Sequence, residues 1–216
     1  MNSTFILLIL AAGLGGVNNA MNTANTPAHA NQTGQIKAEK PIWIDKHNGR
    51  RYPLPNSVGG KPASFYLNNP KVSPLAKALY KSLFRPSDND STTQLLALVT
   101  TKNQEIRPFY RWCLDFTIAI SDGALGEYPG KPALAYATTF PLEFFDYMDK
   151  DPSGQRYKRW VEIIAYSGLD NYDKAHPKII ETISADMTAK CQSCNSTTRA
   201  RIKSFAKSVA AAAISQ

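Results

Sequence analysis

From Ser73 onward, apolar positions recur at helical spacing. Leu75, Leu79 and Leu83 stand four apart and, with Ala76 and Tyr80, give one apolar face. Ser73-Pro74 supplies an N-cap and a proline at the first helical position. Arg85-Pro86 closes this predicted helix, because a residue before proline resists the α region. Ser91-Thr-Thr-Gln94 has the form of a capping box ahead of Leu95, Leu96, Leu98 and Val99. The strongest helical segment runs from about Gln104 to Ser121 and stops at Asp122-Gly123. Two shorter helices open on prolines, Pro132–Thr139 and Pro141 to about Lys150. Three further stripes follow over Gln155–Tyr166, Pro177–Lys190 and Ser196–Ile214, the last carrying Ile202, Phe205, Ala206, Val209 and Ala213. About eight helices joined by short loops predict a mainly α fold, an irregular bundle of αα-hairpins.

Residues 31 to 72 are patterned differently, being rich in Pro, Gly and Asn. Ile42, Trp43 and Ile44 face Tyr52 across Asn48-Gly49, the dipeptide of a two-residue type I′ turn. Pro53 and Pro55 end that pairing. The expectation is an extended N-terminal arm over 31–72 carrying a small β-hairpin, followed by a helical domain over 73–216. Residues 1–30 form a third segment. They contain no charged residue, and an apolar run of about ten, Phe5 to Leu14, is too short to span a bilayer, which takes about 20. A small-x-small site follows at Ala28-His29-Ala30, although Met1 to Thr4 lacks the usual positive charge. This predicts a signal peptide over 1–30, a secreted or periplasmic protein, and no transmembrane helix in the mature chain.

The 216 residues are 43% apolar and 19% charged, which excludes a wholly disordered chain and a polytopic membrane protein. The net charge of +8 is unevenly spread. Asn31 to Arg85 holds ten basic and two acidic residues, Pro86 to Asp186 ten and fifteen, and Met187 to Gln216 five and none. Two basic flanks therefore border an acidic middle. Either the flanks pack on that middle and neutralise it, or they face an anionic surface or polymer, or another protein. Nucleic acid is disfavoured, because export removes the protein from it and no nucleic-acid motif is present.

Candidate chemistry lies in two places. The 104–121 helix is apolar nearly all round, except for a stripe of Arg107, Arg111 and Asp115 that continues to Asp122. Arg111 and Asp115 are spaced to pair. One reading is an internal salt bridge. The other is a polar cleft in which Arg107, Arg111 and Asp122 bind and Asp115 or Glu127 serves as acid or base, with Arg111 assisting. The second place is Cys191-Gln-Ser-Cys194, between the last two predicted helices. It lacks the His of a haem site, the further ligands of a zinc site and the βαβ setting of a thiol–disulfide oxidoreductase. A structural disulfide is expected, with redox activity as the alternative and Cys113 as an inert core thiol. No metal or cofactor is implied. The sequence therefore favours a non-catalytic binding or interaction protein. The alternatives are an enzyme built on 107–127 and a thiol–disulfide protein using Cys191 and Cys194.

Overall fold

The computed structural model describes residues 41–170 and 175–215; the expected leader, 1–30, and residues 31–40 of the expected arm lie outside the described residues. The helices are α1 (Ala63–Asn68), α2 (Pro74–Tyr80), α3 (Asp90–Ala97), α4 (Arg107–Ile120), α5 (Gly130–Thr139), α6 (Pro141–Asp149), α7 (Gln155–Ser167), α8 (His176–Lys190) and α9 (Ser196–Ile214). Helices α2 to α9 form where the apolar stripes fall, whereas α1 is a short helix within the segment expected to be an extended arm. The described residues are thus mainly α, with a small antiparallel hairpin near their N-terminal end.

Four local outcomes differ from the sequence pattern, each for a visible reason. The hairpin of β1 (Ile42–Ile44) and β2 (Arg51–Pro53) sits where expected, with Trp43 opposite Tyr52. Its turn is wider, however: the Asp45 N–H bonds the Arg50 carbonyl and the Gly49 N–H bonds the Asp45 carbonyl. Only Gly49 takes a positive φ. This register sets the Trp43 and Tyr52 rings edge to face at 5.9 Å, and it turns Asp45 inward onto Arg85. A second ribbon, β3 (Ser57–Val58) with β4 (Lys61–Pro62), closes through Gly59 and Gly60, both at positive φ. That Gly-Gly dipeptide is the signal of a two-residue hairpin turn.

Helix α2 ends at Tyr80 rather than Arg85. Ser82 adopts φ 60°, and the Leu83 N–H reaches back to the Ala78 carbonyl, a Schellman-type stop made without glycine. The cap of α3 is Asn89, whose carboxamide oxygen accepts the Thr92 N–H at 3.0 Å, two residues ahead of the expected capping box.

Helix α4 divides the apolar interior. Leu114 and Ile118 enter a core supplied by α5 to α9, with Tyr136, Phe144, Trp160, Ile183 and Phe205. Phe109, Tyr110, Cys113 and Phe116 enter a second core with Trp43, Leu54, Tyr66, Val72 and Leu79. Residues 41–72 therefore contribute buried side chains to the interior: Tyr66 stacks on Phe109 at 4.8 Å and Trp43 meets Phe116 edge-on at 5.0 Å. The apolar faces that α4 shows to both sides explain why its side chains are apolar or aromatic apart from Arg107, Arg111, Asp115 and Thr117.

The helices of the larger core meet closely at one glycine pair. A Cβ on Gly130 would lie 2.6 Å from the Gly168 nitrogen and from the Ile163 carbonyl oxygen, so the start of α5 rests directly on the end of α7. The Ser167 hydroxyl secures the contact, accepting the Gly130 N–H and donating to the Gly126 carbonyl.

Candidate functional site

The polar stripe of α4 faces α5, α6 and α7. Arg107 is 2% exposed and forks onto Glu143 of α6: its Nε donates to one carboxylate oxygen at 2.9 Å and an Nη to the other. Its remaining Nη donates to the Thr101 carbonyl at 2.8 Å, and its guanidinium lies 3.8 Å over the Phe140 ring. This is the planar, bidentate geometry that suits arginine to a desolvated site. One turn further, Arg111 donates to the Tyr136 hydroxyl at 2.9 Å and stacks 4.1 Å over the Tyr147 ring. Arg156 of α7 covers Tyr147 at 4.2 Å, so one tyrosine ring lies against two guanidinium groups.

Asp115, the third member of the stripe, pairs with neither arginine of its own helix in the way the spacing suggests. Its two oxygens accept from Trp160 Nε1 at 2.8 Å and from the Tyr147 hydroxyl at 2.9 Å, with Arg156 Nε at 3.6 Å. Burial, and then the Asp115 charge, push the Tyr147 hydroxyl far above the ordinary tyrosine range, so it serves as a donor. Burial likewise raises Tyr136, against the pull of Arg111. The stripe is thus a charged seam between helices. It holds three arginines and two carboxylates, with stacking and tyrosine hydroxyls supplying what the missing carboxylate does not.

The expected five-residue cleft separates in space. Arg107, Arg111 and Asp115 line the seam. Asp122 lies beyond the end of α4, 3.9 Å from Arg85, beside a surface cavity of about 430 Å³ shared with Arg159, Glu162 and Tyr166. Glu127 lines a different cavity of about 460 Å³, with Thr93, Tyr128 and Lys131. Neither of these two cavities is lined by Asp115.

Cys191 and Cys194 form a disulfide across the α8–α9 turn, both buried, with the Asn195 side chain capping α9 immediately after it. Cys113 is a free, fully buried thiol, and burial pushes it well above the ordinary cysteine range, which leaves it unreactive. Among the described residues no group of three His, Cys, Asp or Glu side chains stands as a metal site. No described helix is long and apolar enough to cross a membrane.

The outer face of α9 carries what the charge count alone does not place. Arg199, Lys203 and Lys207 stand four apart, all exposed, while Ile202, Phe205 and Val209 face the core. Arg201, between them, turns aside and binds Asp149 through both Nη atoms. Lys203 and Lys207 make no ion pair among the described residues, and Arg199 donates only to the Cys194 carbonyl at 3.3 Å. Like charges four apart on a helix cost about 0.2–0.5 kcal/mol per pair. The signal was present in the sequence as an i, i+4, i+8 row of cations, hidden among the other basic residues of the C-terminal flank. No protein-family model, curated protein or solved structure matches this chain.

Proposed function

We propose that this is a non-catalytic binding protein, exported to a secreted or periplasmic location, that holds an anionic partner against the outer face of α9. The observation that carries the reading is the Arg199–Lys203–Lys207 row, exposed, mutually repelling and without an acidic residue anywhere on its helix. Such a row costs stability in isolation and gains from a polyanion laid along it. The catalytic alternative has less support, because both Asp115 oxygens already hold donors and Glu127 lines a cavity that Asp115 does not reach. The disulfide fits an oxidising compartment, where such bonds persist.

The test is binding to a soluble polyanion, heparin, across a range of salt concentrations. The wild-type protein binds with a steep salt dependence, and Arg199→Gln/Lys203→Gln/Lys207→Gln reduces the slope of log affinity against log salt by about one per cation removed. An unchanged slope in the triple variant, or no binding by the wild type, overturns the reading. Export is checked separately by intact mass in the native compartment: loss of residues 1–30 with two of the three cysteines oxidised is the expected result.

A further inference from the structure

The β1–β2 hairpin shows an unusual outward face. Trp43 is anchored inward between Tyr52 and Phe116, so strand alternation sends Ile42 and Ile44 the other way. They are 44% and 48% exposed, and the register places Pro53 and Arg51 opposite them on the same face. The solvated side of a small antiparallel ribbon ordinarily carries polar side chains. Here two β-branched apolar residues occupy it.

Cations surround this apolar pair. Lys46 and Arg50 lie in the turn and Arg51 opens β2; all three are exposed and none makes an ion pair among the described residues. The one acidic residue of the hairpin, Asp45, does not offset them at the surface. It is turned inward, fully buried, and neutralised by Arg85, whose Nε and Nη lie 2.8 and 3.1 Å from its two oxygens. The same bridge ties the hairpin to the segment after α2, where the Ser82 stop leaves Leu83 78% exposed, the most exposed large apolar side chain described.

We propose that this outer face is a lipid-contact surface that seats the protein on an anionic bilayer. Ile42 and Ile44 enter the interfacial layer, and Lys46, Arg50 and Arg51 meet the lipid phosphates. Apolar side chains flanked by cations are the arrangement that interfacial binding requires, and both contributions are needed because each alone gives only marginal attachment. An acidic peptide is the less favoured occupant. It would need a groove to receive the isoleucines, and no residue from 41 to 55 lines any of the described cavities. The attachment is peripheral and is made by the hairpin, not by α9.

The experiment is vesicle flotation with protein purified from its native compartment. It compares phosphatidylcholine vesicles with vesicles containing about one third phosphatidylglycerol, at low and high salt. The wild type floats with the anionic vesicles only, and less at high salt. Ile42→Ser/Ile44→Ser weakens binding about ten-fold at unchanged charge. Lys46→Gln/Arg50→Gln/Arg51→Gln weakens it about 100-fold, near five-fold per cation. Lys203→Gln/Lys207→Gln weakens it less than either hairpin variant does. The positions changed on the hairpin are exposed, so circular dichroism and the unfolding midpoint stay at wild-type values; should the isoleucine pair fail that check, the charge variant alone decides.

Flotation that the hairpin variants do not weaken overturns the inference. So does the absence of flotation, and retained heparin binding in that case shows that the α9 reading stands while this one falls. Loss of flotation in the α9 variant alone, or capture of polyglutamate in place of vesicles by the hairpin, also overturns it.

Discussion

The Arg107–Glu143 pair makes a prediction whose sign runs against a simple count of contacts. Arg107 is 2% exposed, whereas the Glu143 side chain is 39% exposed. Removing the more exposed partner, in Glu143→Ala, strands a buried guanidinium with only the Thr101 carbonyl and the Phe140 ring. Breaking a fully buried pair costs about 3–5 kcal/mol, and the open side of Glu143 reduces that to about 2–3. Removing the more buried partner, in Arg107→Met, leaves a carboxylate that water can reach and an apolar stem that still packs. What is lost is the two-bond fork onto Glu143, whose carboxylate water then hydrates, the hydrogen bond to the Thr101 carbonyl, about 1 kcal/mol, and the contact with Phe140, about 0.5–1 kcal/mol. Relief of the guanidinium's desolvation offsets part of this, for a net cost near 1 kcal/mol. The double variant no longer buries an unpaired charge, so it recovers about 1–2 kcal/mol relative to Glu143→Ala. Urea unfolding followed by tryptophan fluorescence reads these differences: with a slope of about 2–3 kcal/mol per molar, Glu143→Ala lowers the midpoint by about 1 M and the second substitution restores about half. Additive losses in the double variant, or Arg107→Met proving the worse single change, would refute the account of the seam as an ion pair held against desolvation.

Three further outcomes follow from other parts of the molecule. The Arg85 hydrogen bond holds the Asp45 carboxyl below its ordinary value, assisted by the His47 N–H and opposed by burial. Its stabilisation is therefore complete above the unfolded-state value, about 3.9, and lost as pH falls through the lower folded value. Arg85→Gln should cost about 2–3 kcal/mol at pH 6, and thermal unfolding should show that gap closing as pH falls below about 3.9; a gap independent of pH would exclude Asp45 as the cause. Gly130→Ala forces backbone atoms of α5 and α7 apart and should cost at least about 2 kcal/mol in chemical denaturation, whereas Gly154→Ala, with a φ of 70° but open space around it, should cost about 1. Cys191→Ser/Cys194→Ser opens a very short loop, and calorimetry should show a folded protein weakened by about 1–2 kcal/mol.

Much of the helical layout was legible because it rests on local chemistry. The stripe from Ile202 to Ala213 defines α9, and Ser73-Pro74 starts α2, its hydroxyl accepting the Leu75 N–H at 3.2 Å. What escaped was decided by distant partners. Leu83 continues the apolar spacing of α2, yet the helix stops before it at Ser82, and Arg85 is drawn to Asp45 forty residues away. Asp115 is spaced to meet Arg111, but Trp160 and Tyr147 reach it from α7 and α6. Helix α1 lies in a stretch rich in Pro, Gly and Asn, and Tyr66 holds it in place by stacking on Phe109 and bonding the Val58 carbonyl. The candidate site was legible as residue types on one helix face. Its division into a seam and two separate cavities was not, because helical spacing sets the direction of a side chain and says nothing of which helix lies opposite.

Helix α4 is a wall common to both apolar cores, with Leu114 and Ile118 on one side and Phe109 and Phe116 on the other. Neither core can open while the other stays closed unless this helix loses one of its two packed faces. The two halves of the described structure are therefore coupled into one cooperative transition. The amide hydrogens of α4 should therefore exchange with solvent only through global unfolding, and those at the tips of the outer elements through smaller, local openings.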